Sequence, residues 1–224
     1  MAIFEDGRRP RHVLFDLDGT LADTAPDLVE ALNCVLRSLG HTEVDLAIAR
    51  WWVAEGSVGL IQNGLQISEE EARTSPHRQR LLHEYSRNLC TKTRLFPGIS
   101  EVLAALENRD IPWGIVTNKP KRFTDPLVAA LGLDARADSV VSGDTLNRSK
   151  PDPAPLKHAC EEMGVLPDGG VMIGDDIRDI DAGHAAGIRT IAAAWGYRPA
   201  DEAKDWGADR VALDPQELLP AMGL

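Results

Sequence analysis

The chain of 224 residues has only three cysteines, Cys34, Cys90 and Cys160, far apart and without C-x-x-C spacing. An odd, scattered set gives no disulfide framework and fits free thiols in a reducing compartment, each acting as a small buried hydrophobe. A run of basic residues is also lacking, and the formal charge is -11. Nucleic acid and anionic membrane surfaces are thereby disfavoured as partners. The stretch from Met1 to His12 is polar, carries Arg8, Arg9 and Arg11, and holds no apolar segment long enough for a signal peptide or a membrane span. A cytoplasmic location is expected. There is no low-complexity tract and no internal repeat; with 43% hydrophobic and 26% charged residues the composition is that of a folded chain. The length allows one large domain, or an ordinary core with a smaller insertion.

What is present is a series of short apolar runs, each ending in polar residues. Val13-Leu14-Phe15 ends at Asp16, Trp113 to Val116 at Thr117-Asn118, Ser139 to Val141 at Ser142-Gly143, and Val171 to Ile173 at Gly174-Asp175-Asp176. Ile188 to Ala193 and Arg210 to Leu213 are candidates for further strands. Helical periodicity lies between them, over Ile99 to Asn108, Phe123 to Leu131 and Pro153 to Met163. Continuous apolar strands alternating with helices predict an α/β fold with a doubly wound, mainly parallel sheet. From about Thr24 to Cys90 the alternation stops and only helical periodicity remains, with Leu28, Ala31, Leu32, Val35 and Leu36 on one stripe. This spacing predicts an inserted helical cap over 24–90, with residues 1–23 and 91–224 forming the core. The insertion follows the first strand's loop, so it is expected above the carboxyl edge of the sheet, where open α/β sheets bind ligands, and to act as a lid.

The polar residues at these strand ends are Asp16 and Asp18, Thr117 and Asn118, Lys150 in a loop, and Asp175, Asp176 and Asp179. Strand ends of a parallel sheet share one edge, so these residues converge. Several carboxylates brought together repel one another unless a hard divalent cation lies between them, and magnesium suits oxygen ligands and a substrate phosphate. A carboxylate can attack phosphorus to give an acyl phosphate, while a lysine and hydroxyl or amide donors neutralise the equatorial oxygens. A second carboxyl group two residues on, as Asp18 is from Asp16, can protonate the leaving alkoxide and deprotonate the attacking water.

Phe15-Asp16-Leu17-Asp18-Gly19-Thr20 resembles the first signature of the haloacid dehalogenase superfamily of phosphohydrolases. Val116-Thr117-Asn118, Ser149-Lys150-Pro151 and Gly174-Asp175-Asp176 with Asp179 resemble the other three, in order. The resemblance implies that Asp16 is nucleophile and metal ligand. It makes Asp18 the general acid and base, with its carbonyl on the metal. Thr117 and Asn118 would bind phosphoryl oxygens, Lys150 would bridge nucleophile and phosphate, and Asp175 would bind Mg2+. Either Asp176 or Asp179 would complete the metal shell. An acid at position 18 implies a phosphatase or phosphomutase, and the helical insertion with Thr117-Asn118-Lys119-Pro120 resembles the phosphoglycolate phosphatase group. Trp113 to Pro120, Gly174 to Ile180 and Trp206 to Asp209 are similar to N-acetylmuramic acid 6-phosphate phosphatases. Either substrate is a small phosphorylated metabolite with a carboxylate, for which Lys119, Arg122 and Arg178 are candidate cations. A monomer or a homodimer is expected.

Each motif also has an ordinary reading. Asp18-Gly19-Thr20 suits a turn, the Asp175 to Asp181 cluster an acidic first helical turn, and Lys150 a solvated loop lysine. Trp51 and Trp52 are expected in the core of the cap, and His184 at the surface. Two rivals to hydrolysis are a phosphomutase with the same nucleophile and a non-catalytic phospho-acceptor switch.

Overall fold

A computed structural model describes residues 3–4 and 8–224, so part of the polar stretch from Met1 to His12 lies outside the described residues. Eight strands occur in chain order: β1 (His12–Phe15), β2 (Ala22–Asp23), β3 (Arg94–Leu95), β4 (Trp113–Val116), β5 (Ser139–Val141), β6 (Gly170–Gly174), β7 (Arg189–Ala193) and β8 (Arg210–Ala212). Six of them form one sheet in the order β5-β4-β1-β6-β7-β8, and every pair is parallel. The chain starts in the middle, winds outward to one edge through β4 and β5, and then crosses back to build the other half. Such an order leaves a switch point beside β1, the usual ligand crevice of a doubly wound sheet.

The central strands are buried on both faces. All four residues of β1, all four of β4 and all five of β6 are buried. On one face Leu14, Val116, Val141 and Met172 pack with Leu156, Cys160, Ala182 and Ile188. On the other, Phe15 meets Trp113 edge to face at 6.2 Å, and the Trp113 indole N–H donates to Glu107. Cys160 thus takes the place of a small hydrophobe, while Cys34 and Cys90 are half-buried free thiols.

The chain divides into two compact units, Met1–Ala22 with Leu95–Leu224, and Asp23–Arg94. The boundary falls in the short β2–β3 pair, through which the chain leaves and returns. The second unit is built from helices α1 (Ala25–Ser38), α2 (Leu46–Ala49), α3 (Gly56–Leu65), α4 (Glu69–Thr74) and α5 (Pro76–Arg87). Its α1 buries Leu28, Ala31, Leu32, Val35 and Leu36, the stripe read from the sequence. Asp27 of α1 is buried and accepts from the main-chain N–H of Lys92 and Thr93 and from the Thr93 hydroxyl, which ties the two ends of this unit together. The expectation that Trp51 is core is wrong: it is 45% exposed, in a 3-10 turn over Arg50–Glu55 where the helical stripe breaks.

The first unit adds α6 (Ile99–Glu107), α7 (Lys121–Ala130), α8 (Ala154–Glu162), α9 (Ile177–Ala186) and α10 (Leu218–Met222). Among the described residues no helix is long and apolar enough to cross a membrane.

A buried titratable group lies at the opposite end of β1. His12, at the start of β1, is fully buried; its Nδ1 has no hydrogen-bond partner and its Nε2 lies 3.4 Å from the Cys160 sulfur. Burial presses its pKa down from 6.5 to about 4. Between those values the unfolded chain binds a proton that the folded chain does not, so stability falls as pH drops from 6.5 towards 4. The slope from this one group is at most about 1.4 kcal/mol per pH unit. Unfolding free energies of wild type and His12→Leu, measured across that window, are expected to show the slope reduced by up to one proton in the variant.

Candidate active site

Main-chain hydrogen bonds carry the ladder one residue past the ends of the strands. The Asp16 N–H donates to Ile173 O at 2.9 Å, and the Thr117 N–H to Val141 O at 2.9 Å. Asp16 and Thr117 therefore leave the sheet at the same edge, next to Asp175 at the end of β6. The turn after Asp16 is closed by Gly19, whose N–H donates to Ala22 O and whose φ is +86°. A side chain at Gly19 would overlap the Asp175 carboxylate, so the glycine is required by conformation and by space.

Lys150 is the hub. Its ammonium donates to Val116 O at 2.6 Å, and lies 2.9 Å from Asp16 Oδ1 and 2.6 Å from Asp179 Oδ1. The contact with Asp16 is an ion pair off the hydrogen-bond direction, and Asp16 Oδ1 is a buried oxygen with no hydrogen-bond donor. Burial alone would lower the Lys150 pKa, but Asp16 and Asp179 outweigh it and hold the ammonium above the ordinary lysine value. Asn118 fixes the main chain of this lysine: its Nδ2 donates to Lys150 O at 2.9 Å and its Oδ1 accepts from Lys150 N at 3.0 Å. The Asn118 side chain, expected at the phosphoryl oxygens, is engaged in this clamp on the Lys150 main chain. The Thr117 hydroxyl accepts from Lys119 N at 3.2 Å and keeps its own proton to donate.

Asp176 and Asp179 separate in the structure. Asp176 is the N-cap of α9; its carboxylate accepts from Arg178 N and Nε and from Arg198 Nε. Burial raises its pKa, but the hydrogen bond and charge of Arg178, with Arg198 behind, win and bring it to about 2. Asp179 turns the other way, accepting from Asp176 N at 3.2 Å and contacting Lys150. Burial pushes Asp179 up to about 7 against the pull of Lys150. Asp175 is raised well above the ordinary carboxylate range, by burial first and then by the charges of Asp16 and Asp179.

Asp16, Asp175 and Asp179 each offer an oxygen within 4.8 Å of the others. Three carboxylates face one ammonium, an excess of two negative charges in a buried place, and one of the oxygens lacks a donor. Such a hard oxygen donor set fits a divalent cation. Of the two candidates for the last ligand, Asp179 joins this cluster and Asp176 does not. Asp18 stands apart: its Oδ1 pairs with Lys119 Nζ at 2.9 Å, although the lysine side chain is only 8% exposed.

The model of the haloacid dehalogenase-like hydrolases matches residues 13–193, which span all of these strand ends. The chain belongs to this family. It is similar to the N-acetylmuramic acid 6-phosphate phosphatase of Pseudomonas aeruginosa, with 39% identity over 96% of this chain and 95% of that one. It is as similar to the phosphoglycolate phosphatase of Xanthomonas campestris pv. campestris, 39% identical over 94% of this chain and 96% of the relative. A crystal structure described as a "predicted phosphoglycolate phosphatase" from Haemophilus somnus superposes with a TM-score of 0.80. It is 28% identical and covers 95% of this chain and 98% of that one.

Sequence reasoning missed several neighbours that this hydrolase family member brings to the edge. Thr20 donates to Asp175 Oδ1 at 2.9 Å, and Tyr197 N–H, from the loop after β7, donates to Asp175 Oδ2 at 2.8 Å. The signal available for the second was a further apolar run ending at Trp195-Gly196-Tyr197, one more strand end of the same sheet. Arg122, a candidate cation, lies over its neighbour's ring at Phe123 and is exposed.

The ammonium of Lys150 is what allows Asp16 and Asp179 to be charged side by side. Removing one partner of a buried ion pair costs about 3–5 kcal/mol, because the other charge stays behind. Lys150→Met is expected to lose stability of that order in urea titrations at pH 8 with a chelator present.

Proposed function

We propose that this chain is a Mg2+-dependent phosphomonoester hydrolase that works through an acyl phosphate on Asp16. Its substrate is a small phosphate ester that also carries a carboxylate, 2-phosphoglycolate or N-acetylmuramic acid 6-phosphate. The observation that carries the reading is the division of labour between two carboxylates of one loop. Asp16 lies against Lys150 and the acidic cluster, and Asp18, two residues on, lies apart on a separate lysine. The names of the relatives support the substrate class.

In this reading an Asp16 oxygen attacks phosphorus and the bond from phosphorus to the ester oxygen breaks. The leaving alkoxide takes the proton of Asp18. Asp18 then removes a proton from water, whose oxygen attacks phosphorus; the bond to Asp16 breaks, and inorganic phosphate and the free carboxylate result. Lys150 neutralises the phosphoryl group next to the nucleophile, and the Thr117 hydroxyl and the Asn118 N–H donate to its oxygens. Asp16, Asp175, Asp179 and the Asp18 carbonyl would hold Mg2+, which supplies charge neutralisation on the phosphoryl oxygens. The helical insertion expected over 24–90 serves as a cap that admits the ester and excludes bulk water. A low-molecular-weight ester fits the acidic surface and the enclosed chemistry better than a nucleic acid does.

The test is phosphate release from a panel of small phosphomonoesters with and without Mg2+, for wild type and Asp16→Asn. Magnesium-dependent turnover that Asp16→Asn abolishes is expected; transfer of the phosphoryl group between sugar positions without release would make the chain a mutase instead. Lys119 is the cation that meets the substrate's carboxylate in this reading. A hydrogen bond to a charged group is worth about 1.5–3 kcal/mol, or roughly ten- to a hundredfold. Lys119→Met is therefore expected to lower kcat/KM on 2-phosphoglycolate about tenfold more than on 2-hydroxyethyl phosphate, in which the carboxylate is replaced by a neutral alcohol.

A further inference from the structure

Four successive residues after β7 each touch the acidic edge. The Trp195 indole N–H donates to Thr20 O at 3.1 Å, and Thr20 in turn donates to Asp175 Oδ1. Gly196 lies flat against Asp175, and a Cβ there would overlap that side chain from Cβ to carboxylate. The Tyr197 N–H donates to Asp175 Oδ2 at 2.8 Å, and the Tyr197 side chain, 1% exposed, anchors the segment in the first unit. Arg198 Nε donates to Asp176 Oδ2 at 3.0 Å, at the start of α9. Gly19 also lies against Asp175 without room for a side chain.

The Asp175 carboxylate is thus in close contact with two glycines and has one donor on each oxygen. A carboxylate has two lone pairs on each oxygen, so both oxygens remain able to bind a cation, but the plane of the group is fixed. We infer that Trp195–Arg198 is a positioning strap that sets the Asp175 carboxylate for the divalent cation. The loop after β7, which belongs to none of the four motifs, then acts as part of the metal centre. The inference rests on reading Asp175 as a metal ligand. Residues that orient a ligand typically change metal affinity by about 10–100-fold when altered, because the ligand must be reoriented on binding.

The physical alternative is that the strap merely packs this corner of the fold. The two differ in what a substitution changes. Binding of Mn2+ to the whole chain, followed by the paramagnetic resonance signal of the free ion, reads the centre without turnover. Gly196→Ala is expected to weaken Mn2+ about tenfold or more. Trp195→Phe keeps a ring but loses the donor to Thr20 and is expected to shift affinity in the same direction; it decides the matter alone if Gly196→Ala does not fold. Turnover of either variant is expected to recover at high Mg2+ concentration. Wild-type Mn2+ affinity in folded strap variants, with Asp175→Asn losing it, would overturn the strap alone. Wild-type affinity in Asp175→Asn would overturn the metal reading on which the strap rests.

Discussion

Three carboxylates within a few ångströms of one another, two of them buried, cannot all stay charged without compensation, and the carboxyl edge of this sheet is organised around that repulsion. Lys150 answers part of it by setting one ammonium between Asp16 and Asp179, held there by its hydrogen bond to Val116 O. Burial first, and then the charge of the neighbouring carboxylates, holds Asp175 and Asp179 above the ordinary carboxylate range. A buried charge that is only partly compensated is a poor device for stability and a good one for binding a cation. The nearby Asp176 makes the contrast plain: two arginines satisfy it, and it sits at about 2 as an ordinary capping group.

The parallel sheet makes the cluster possible. Asp16 and Asp175, at the ends of β1 and β6, meet although most of the chain lies between them, because each strand points the same way and the ladder runs one bond further. Where backbone and acid approach most closely, glycine is the only residue with room, as at Gly19 and Gly196.

Much of this was legible in the sequence, for a physical reason. Strands buried on both faces appear as unbroken apolar runs, and Val13 to Phe15, Trp113 to Val116 and Val171 to Ile173 read as strands for that reason. The same runs point at Asp16 and Thr117, immediately after them, and at Asp175, one glycine further on. Side-chain direction was not legible. Asp176 and Asp179 are equally acidic neighbours, and only the capping geometry of α9 sends one to the arginines and the other to Lys150. Nor was the part played by Asn118 evident, since an amide can serve a substrate or a main chain equally well. Trp51 escaped the helical stripe because the chain there tightens into a 3-10 turn, which has a different period.

The paired bonds between the Asn118 amide and the Lys150 peptide copy the two-way exchange between neighbouring strands, with a side chain standing in for one strand. The grip works across 32 positions of sequence and is independent of the path between them. The address of Lys150 is therefore set by a contact at the sheet edge and not by the length of the connection through α7 and β5. A single asparagine fixes the main chain from which the charge beside Asp16 is carried.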